Sequence, residues 1–323
     1  MKAARIHQYG DPDVFQIEDV PAPTCGPRDV LVKVHASSVN PIDYKIRMGG
    51  QRAVIRPNFP AILGMDLSGV VEAVGEKVTR FAPGDEVIAS PSHRRMGTYA
   101  ELIAVREDEL ARKPPSISHE EAASLPLVAL TAWDALVGMC NLKADQRVLI
   151  QAGSGGVGSI AIQLAKHLGA EVFTTCSPRN FELVESLGAD RPIDYRTQDY
   201  QSEAAGVDAI LEAIGGEHVS RAVRTVRRGG RVAAITAGLP TYTAAYGPAL
   251  GFGAVVGTTI GRMTSAYVCR GVVLRMVTRS PSGANLQAIA DLVDEGAIRP
   301  VIDRVFPLDE IADAHRYVET GRA

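Results

Sequence analysis

The chain has 323 residues, 46% hydrophobic, 22% charged and 5% aromatic, with 31 Gly and 19 Pro. Room for about two domains and this balance indicate a folded α/β protein and exclude disordered and collagen-like chains. Lys and Arg number 34 against 37 Asp and Glu, and a formal charge of −3 offers no basic face to a phosphate backbone, so nucleic acid is not an expected partner.

At the N-terminus, Met1 to His7 leads into polar, strand-like sequence without the apolar core of a secretory signal, and a cytoplasmic protein is expected. The first 125 residues are short strands between Gly and Pro punctuation. In residues 29–36, Val30, Val32 and Val34 alternate with Leu31, Lys33 and His35, and similar pieces follow at 66–74 and 85–89. Strands so bounded suggest a compact, barrel-like β domain. Ser118-His119-Glu120-Glu121 is a capping box. It marks a helix start and makes His119 and both glutamates first-turn residues rather than catalytic candidates.

From about residue 126 strands and helices alternate: strands at 147–152, 171–176, 207–214 and 231–236, with helices reaching 168, 187 and 228 between them. This alternation predicts a doubly wound parallel sheet. The apolar run 267–277 reads as its last strand. A helix around 286–295 and the piece 301–309 are assigned back to the first domain. The domains are therefore 1–125 with 278–323, and 126–277. Residues 232–261 carry no charge, but Pro240, Pro248 and six glycines interrupt any membrane-spanning helix. A loop followed by packed structure is expected there, and no membrane partner. Cys25, Cys140, Cys176 and Cys269 lie far apart and read as reduced core thiols, not as a zinc cluster or disulfide framework.

The most informative stretch is Gly153-Ser154-Gly155-Gly156-Val157-Gly158, a GxGxxG between an apolar strand and a helix whose Val157, Ile160, Ala161, Leu164, Ala165 and Leu168 recur at helical spacing. Glycines there allow a tight turn and close approach of a pyrophosphate to the helix N-terminus, where free amides favour anions. An NAD site places an acid at the end of the second strand; here that strand runs into Ser177-Pro178-Arg179-Asn180. A hydroxyl from Ser177 and a guanidinium from Arg179 suit a 2′-phosphate, so NADPH is the expected cofactor.

Several ordered motifs resemble the medium-chain dehydrogenase/reductase superfamily in its zinc-independent quinone oxidoreductase branch. They are Ser38-Val39-Asn40-Pro41-Ile42-Asp43-Tyr44-Lys45, Gly64-Met65-Asp66, Pro83-Gly84-Asp85-Glu86-Val87, Gly97-Thr98-Tyr99-Ala100-Glu101, Leu125-Pro126 with Thr131-Ala132, and the glycine loop with Gln163 and Lys166. The similarity covers nearly the whole chain and is strongest toward alkenal/enone oxidoreductases. It implies a β-rich GroES-like domain plus a Rossmann domain, with NADPH in the cleft between them. Asn40 stands where zinc-dependent relatives carry a cysteine ligand, and Gly64-Met65-Asp66 where they carry a histidine, so no zinc is expected. Without that Lewis acid, hydride transfer to an already electrophilic quinone or enone is the expected reaction.

The resemblance further implies that Asn40 and Thr131 lie beside the nicotinamide and its ribose, and that Tyr195 approaches the adenosine phosphate. Tyr44 and Lys45 would line the substrate cleft and stabilise enolate charge or relay a proton. Asp43 and Asp66 are read as carboxylates bonded within their own turns, and the histidines receive no chemistry. Such chains usually continue past their last helix into a further strand. Here the sequence stops at Gly321-Arg322-Ala323, so either it is shortened at that end or the strand is absent. A homodimer is expected through the 267–277 strand at the sheet edge. Two competing readings are an NADPH-binding protein acting as a structural or interaction partner, separated by a turnover assay, and a zinc alcohol dehydrogenase, separated by metal analysis.

Overall fold

The computed structural model describes residues 1–236 and 238–321. Two compact units divide the chain: Met1–Leu130 with Ser280–Ala323, and Thr131–Arg279. Residues 322 and 323, and with them the expected departure at the chain end, lie outside the described residues.

In chain order the strands are β1 (Lys2–Ile6), β2 (Phe15–Asp19), β3 (Asp29–Ala36), β4 (Ala61–Ile62), β5 (Leu67–Val74), β6 (Glu86–Ala89), β7 (Leu102–Arg106), β8 (Leu110–Arg112), β9 (Arg147–Ile150), β10 (Glu171–Cys176), β11 (Arg191–Asp194), β12 (Ala209–Glu212), β13 (Arg231–Ala234) and β14 (Val273–Met276). The helices are α1 (Pro41–Arg47), α2 (His119–Ala123), α3 (Pro126–Trp133), α4 (Gly156–His167), α5 (Phe181–Ser186), α6 (Tyr200–Glu203), α7 (Glu217–Thr225), α8 (Leu239–Arg270), α9 (Gly283–Asp294) and α10 (Ile311–Glu319).

The first unit holds two antiparallel sheets, ordered β2-β1-β4 and β7-β3-β5-β6-β8. The alternation seen in residues 29–36 has its physical cause here: Val30 and Val32 point into a core with Leu67, Val71, Val87, Val105 and Leu110. A second core of Ala4, Ile6, Ile46, Leu63, Met65 and Tyr99 takes in Ile311 from α10. The capping box forms as read, Ser118 Oγ accepting from Glu121 N at 3.2 Å and Ser118 N donating to Glu121 at 2.9 Å.

The second unit is a six-stranded, all-parallel sheet in the order β11-β10-β9-β12-β13-β14. Counted within the unit this is the 3-2-1-4-5-6 order of a dinucleotide fold, with its switch point between β9 and β12. Leu149, Ile210, Val232 and Leu274 are buried in its core beside Val219 and Val223 of α7.

Three expectations fail. Residues expected as a loop form α8, which bends at Gly247 (φ 76°, ψ 171°) so that Pro248 falls in the first turn of a new helical segment, where its missing N–H costs nothing. The last strand begins at Val273; Tyr267 and Val268, read as its start, are exposed on α8. No helix among the described residues is long and apolar enough to cross a membrane. The cysteines are all free, but they are not all core thiols: Cys140 and Cys176 are buried, Cys25 half-buried and Cys269 exposed. Burial pushes the Cys140 thiol up to about 12 and that of Cys176 to about 11.

Candidate functional site

The glycine loop leaves the C-terminal end of β9 at the switch point. Ala152 takes a left-handed conformation (φ 54°), and Gly153 N then bonds Thr175 O at 3.0 Å on the neighbouring strand. A Cβ on Gly153 would stand 1.9 Å from Thr174 Oγ1, and one on Gly158 2.2 Å from Ala152 O, so both positions demand glycine by contact within the fold. Gly155 is different. It is the N-cap of α4, and its nearest contact for an added Cβ is Ala152 O at 3.4 Å, ordinary packing. Nothing within the fold requires a bare backbone here, at the helix start where first-turn amides have no partner inside α4.

Beyond β10, Ser177 is buried and Arg179 exposed on a short 3-10 turn. Asn180 Nδ2 donates to Ser154 Oγ at 2.8 Å, tying this corner to the glycine loop. The sheet unit thus brings together Gly153 to Gly158, Ser177 and Arg179. Tyr195 follows β11 and is 56% exposed, with the Arg196 guanidinium 5.7 Å from its ring centroid. Asp194 beside it is occupied by its own turn, accepting from Arg196 N at 3.1 Å and Thr197 Oγ1 at 2.9 Å. Thr131 is buried in α3. Free helix-start amides, hydroxyls and a guanidinium, with no acid in the 177–180 corner, fit a phosphorylated dinucleotide.

In the other unit, α1 carries Asn40 as N-cap, Pro41 in the first turn, and Tyr44 and Lys45, both half-buried, in its middle. Burial pushes the Tyr44 phenol up, with the Glu319 carboxylate adding to it, and burial pushes the Lys45 ammonium down. The Lys45 Nζ lies 5.9 Å from the Tyr44 ring centroid.

Two carboxylates, Asp43 in the first turn of α1 and Asp66 packed against its N-cap, correct the sequence reading. Asp43 does bond locally, accepting from Asn40 N at 2.8 Å, but it also accepts from Tyr99 OH at 3.1 Å. Asp66, fully buried, accepts from Ser38 Oγ at 2.6 Å, Asn40 Nδ2 at 2.8 Å and Leu127 N at 2.8 Å, all from distant segments. Sequence reasoning also missed Glu212 at the end of β12. Its Oε1 accepts from Ile214 N at 2.9 Å and Gly215 N at 2.6 Å and shapes the Gly215-Gly216 turn; burial pushes its carboxyl up. The readable signal was an acid closing an apolar strand just ahead of a Gly-Gly pair.

A serine, histidine and glutamate also line up outside α1: Ser68 Oγ lies 2.7 Å from His119 Nδ1, and His119 Nε2 3.3 Å from Glu86 Oε1. His119 stacks on His35 with ring centroids 4.4 Å apart. Ser68 is fully buried, so this row joins α2 to the sheet rather than presenting a nucleophile.

Residues 26–115 match the alcohol dehydrogenase GroES-like domain family, and 187–323 the family described as zinc-binding dehydrogenase. The mouse mitochondrial NAD(P)H oxidoreductase RTN4IP1 is 37% identical across all of this chain and 87% of its own length. The Arabidopsis thaliana chloroplastic NADPH-dependent alkenal/one oxidoreductase is 36% identical over 100% of this chain and 78% of its own. The chain belongs to the quinone oxidoreductase branch of the medium-chain dehydrogenase/reductase superfamily. Among solved structures, the quinone oxidoreductase of Coxiella burnetii superposes with a TM-score of 0.86 at 32% identity, covering 100% of this chain and 96% of that one. The GroES-like and Rossmann architecture of this branch is the one described above. The relatives also correct the expected compartment: those in mouse and Arabidopsis are named mitochondrial and chloroplastic, and the cytoplasmic assignment falls. The missing secretory core bears only on secretion, since organelle import uses amphipathic, Arg- and Ser-rich leaders of another kind.

Proposed function

We propose that the chain is an NADPH-dependent oxidoreductase that reduces a quinone or the β-carbon of an α,β-unsaturated carbonyl, without zinc. The observation that carries the reading is the Gly153 to Gly158 cradle at the switch point, tied by Asn180 to a corner that holds Ser177 and Arg179 and no acid. NADPH, when bound there, supplies the hydride. The α4 amides take its pyrophosphate, Ser177 and Arg179 its 2′-phosphate, and Tyr195 flanks the adenosine phosphate. Asn40 and Thr131 hold the nicotinamide end. The relatives named for alkenal/one and quinone chemistry support the acceptor class.

Reduction at the β-carbon leaves charge on the carbonyl oxygen, and the α1 side chains answer that need. Lys45 offers an ammonium whose proton burial has loosened, and Tyr44 a phenol that burial keeps protonated. Both serve as donors to the oxygen. Zinc independence is supported by Asn40 and Met65 standing at the family's ligand positions, and by the described residues offering no group of three His, Cys, Asp or Glu able to hold a metal. The partners proposed are small molecules, not nucleic acid or membrane, and a second copy pairing along the β14 edge to make a homodimer.

The test is NADPH oxidation across a panel of enones and quinones, with elemental analysis of the purified protein. Turnover on at least one acceptor, insensitive to chelators and without stoichiometric zinc, is expected. Tight NADPH binding with no turnover on the whole panel would replace the enzyme by a cofactor-binding interaction protein.

A further inference from the structure

Asp66 has no solvent exposure, yet its carboxylate spends its Oδ2 on a single neighbour pair. Ser38 Oγ donates to Oδ2 at 2.6 Å and Asn40 Nδ2 at 2.8 Å, while Leu127 N donates to Oδ1 at 2.8 Å. Both oxygens of the Asp66 carboxyl accept here, and the edge of the Asn40 amide that faces it is the NH2 edge. The same Nδ2 also donates to Ser38 Oγ at 3.0 Å; because Ser38 Oγ and Asp66 Oδ2 are themselves only 2.6 Å apart, the amide shares one edge between the two acceptors. Asn40, Ser38 and Asp66 form a closed ring with one sense of donation: amide to hydroxyl, hydroxyl to carboxylate, amide to carboxylate. Reversing the amide would set Asn40 Oδ1 against a buried acceptor oxygen and leave that oxygen without its donor. The carbonyl Oδ1 is thereby held on the opposite edge, where as one half of the α1 capping box it faces the Asp43 amide and keeps a second lone pair.

We propose that Asp66 is a positioning residue: with Ser38 it fixes the Asn40 amide in one orientation, so that Asn40 presents an acceptor, and not a donor, to the carboxamide NH2 of the bound nicotinamide. This rests on the reading that Asn40 lies at the nicotinamide end. A role confined to folding is the alternative, because Asp66 also anchors Leu127 N, and coupling separates the two.

The experiment is a double-mutant cycle on NADPH dissociation constants, read from nicotinamide fluorescence, with thermal unfolding followed for every variant. Asp66→Asn should weaken NADPH about tenfold in the wild-type background and less than about twofold where Asn40→Ala has removed the amide it orients. Ser38→Ala breaks the ring without touching Leu127 and should weaken binding about threefold, again only while Asn40 is present. It carries the test if Asp66→Asn fails to fold. Equal losses in both backgrounds would overturn the proposal and leave Asp66 a structural residue. Wild-type protein that binds NADPH but reduces no acceptor would refute the reaction while the cycle still decides the role of Asp66; failure to bind NADPH at all would sink both.

Discussion

Arg179 stands exposed on the turn after β10 and Ser177 is buried beside it, so a 2′-phosphate at that corner would meet a buried hydroxyl and an exposed guanidinium. A charge-assisted hydrogen bond contributes about 1.5–3 kcal/mol, so Arg179→Ala should weaken NADPH by roughly ten- to a hundredfold and leave NADH nearly unchanged. Titrations with both cofactors check this, and equal losses would assign Arg179 to structure. Lys45 is the complementary case. Burial pushes its ammonium down, so its proton leaves at lower pH than that of an exposed lysine. Enone turnover should therefore decline as pH rises through that depressed range, and Lys45→Met should remove the decline together with most of the rate while NADPH affinity holds. A quinone, being more electrophilic, should lose less, and kinetics on one acceptor of each kind settles it. Arg179 and Lys45 could be nominated from sequence because each sits inside a short motif. Asp66 was misread because Leu127 and Ser38 reach it from distant positions in the chain, and a single sequence carries no register between them.

Among the elements, the turn from β9 to α4 shows why one pattern of glycines serves two purposes. A methyl at position 158 meets backbone, Ala152 O at 2.2 Å and Gly153 Cα at 2.7 Å, which cannot move without opening the loop. Gly158→Ala should therefore lower thermal stability and cofactor binding together. A methyl at 155 fits within the chain, 3.4 Å from Ala152 O, and obstructs only what approaches the helix start. Gly155→Ala should melt within a few degrees of wild type and still lose most of its NADPH affinity. Calorimetry beside binding separates the two, and a Gly155→Ala protein that binds normally would move the pyrophosphate elsewhere. The alternating strands and helices of this unit were readable because each apolar run is bounded by turn residues. α8 was not, because glycine and proline mark loops in general, whereas Gly247 and Pro248 make only one bend between two helical segments.

At the scale of the molecule, the β-rich unit is discontinuous in sequence, and its two parts meet around a buried charge. Arg47 on α1 has no exposure; its Nε donates to Gly10 O at 3.0 Å, Nη1 to His315 Nδ1 at 3.1 Å and Nη2 to Glu319 Oε1 at 2.6 Å, the last two on α10. The sequence put residues 278–323 with the first domain, but nothing in it pointed to an arginine as the join. His315 must stay neutral to accept from Arg47. Burial among Phe15 and Tyr99, and then the Arg47 charge, push its pKa down to about 3. In the unfolded chain the imidazole takes a proton near 6.5, while the folded chain refuses it until about 3, so between those values the unfolded state binds more protons. Stability contributed by this group is complete above pH 6.5 and falls as pH drops toward 3, by at most about 1.4 kcal/mol per pH unit. His315→Phe keeps the aromatic packing and removes the titration. It should start less stable, because Arg47 loses one acceptor, but its melting temperature should fall less steeply than wild type between pH 6.5 and 4.5. The carboxylates titrate in both proteins and cancel in the difference. Parallel melting curves across that window would mean that His315 accepts its proton within the fold and that Arg47 and Glu319 alone hold α10 in place.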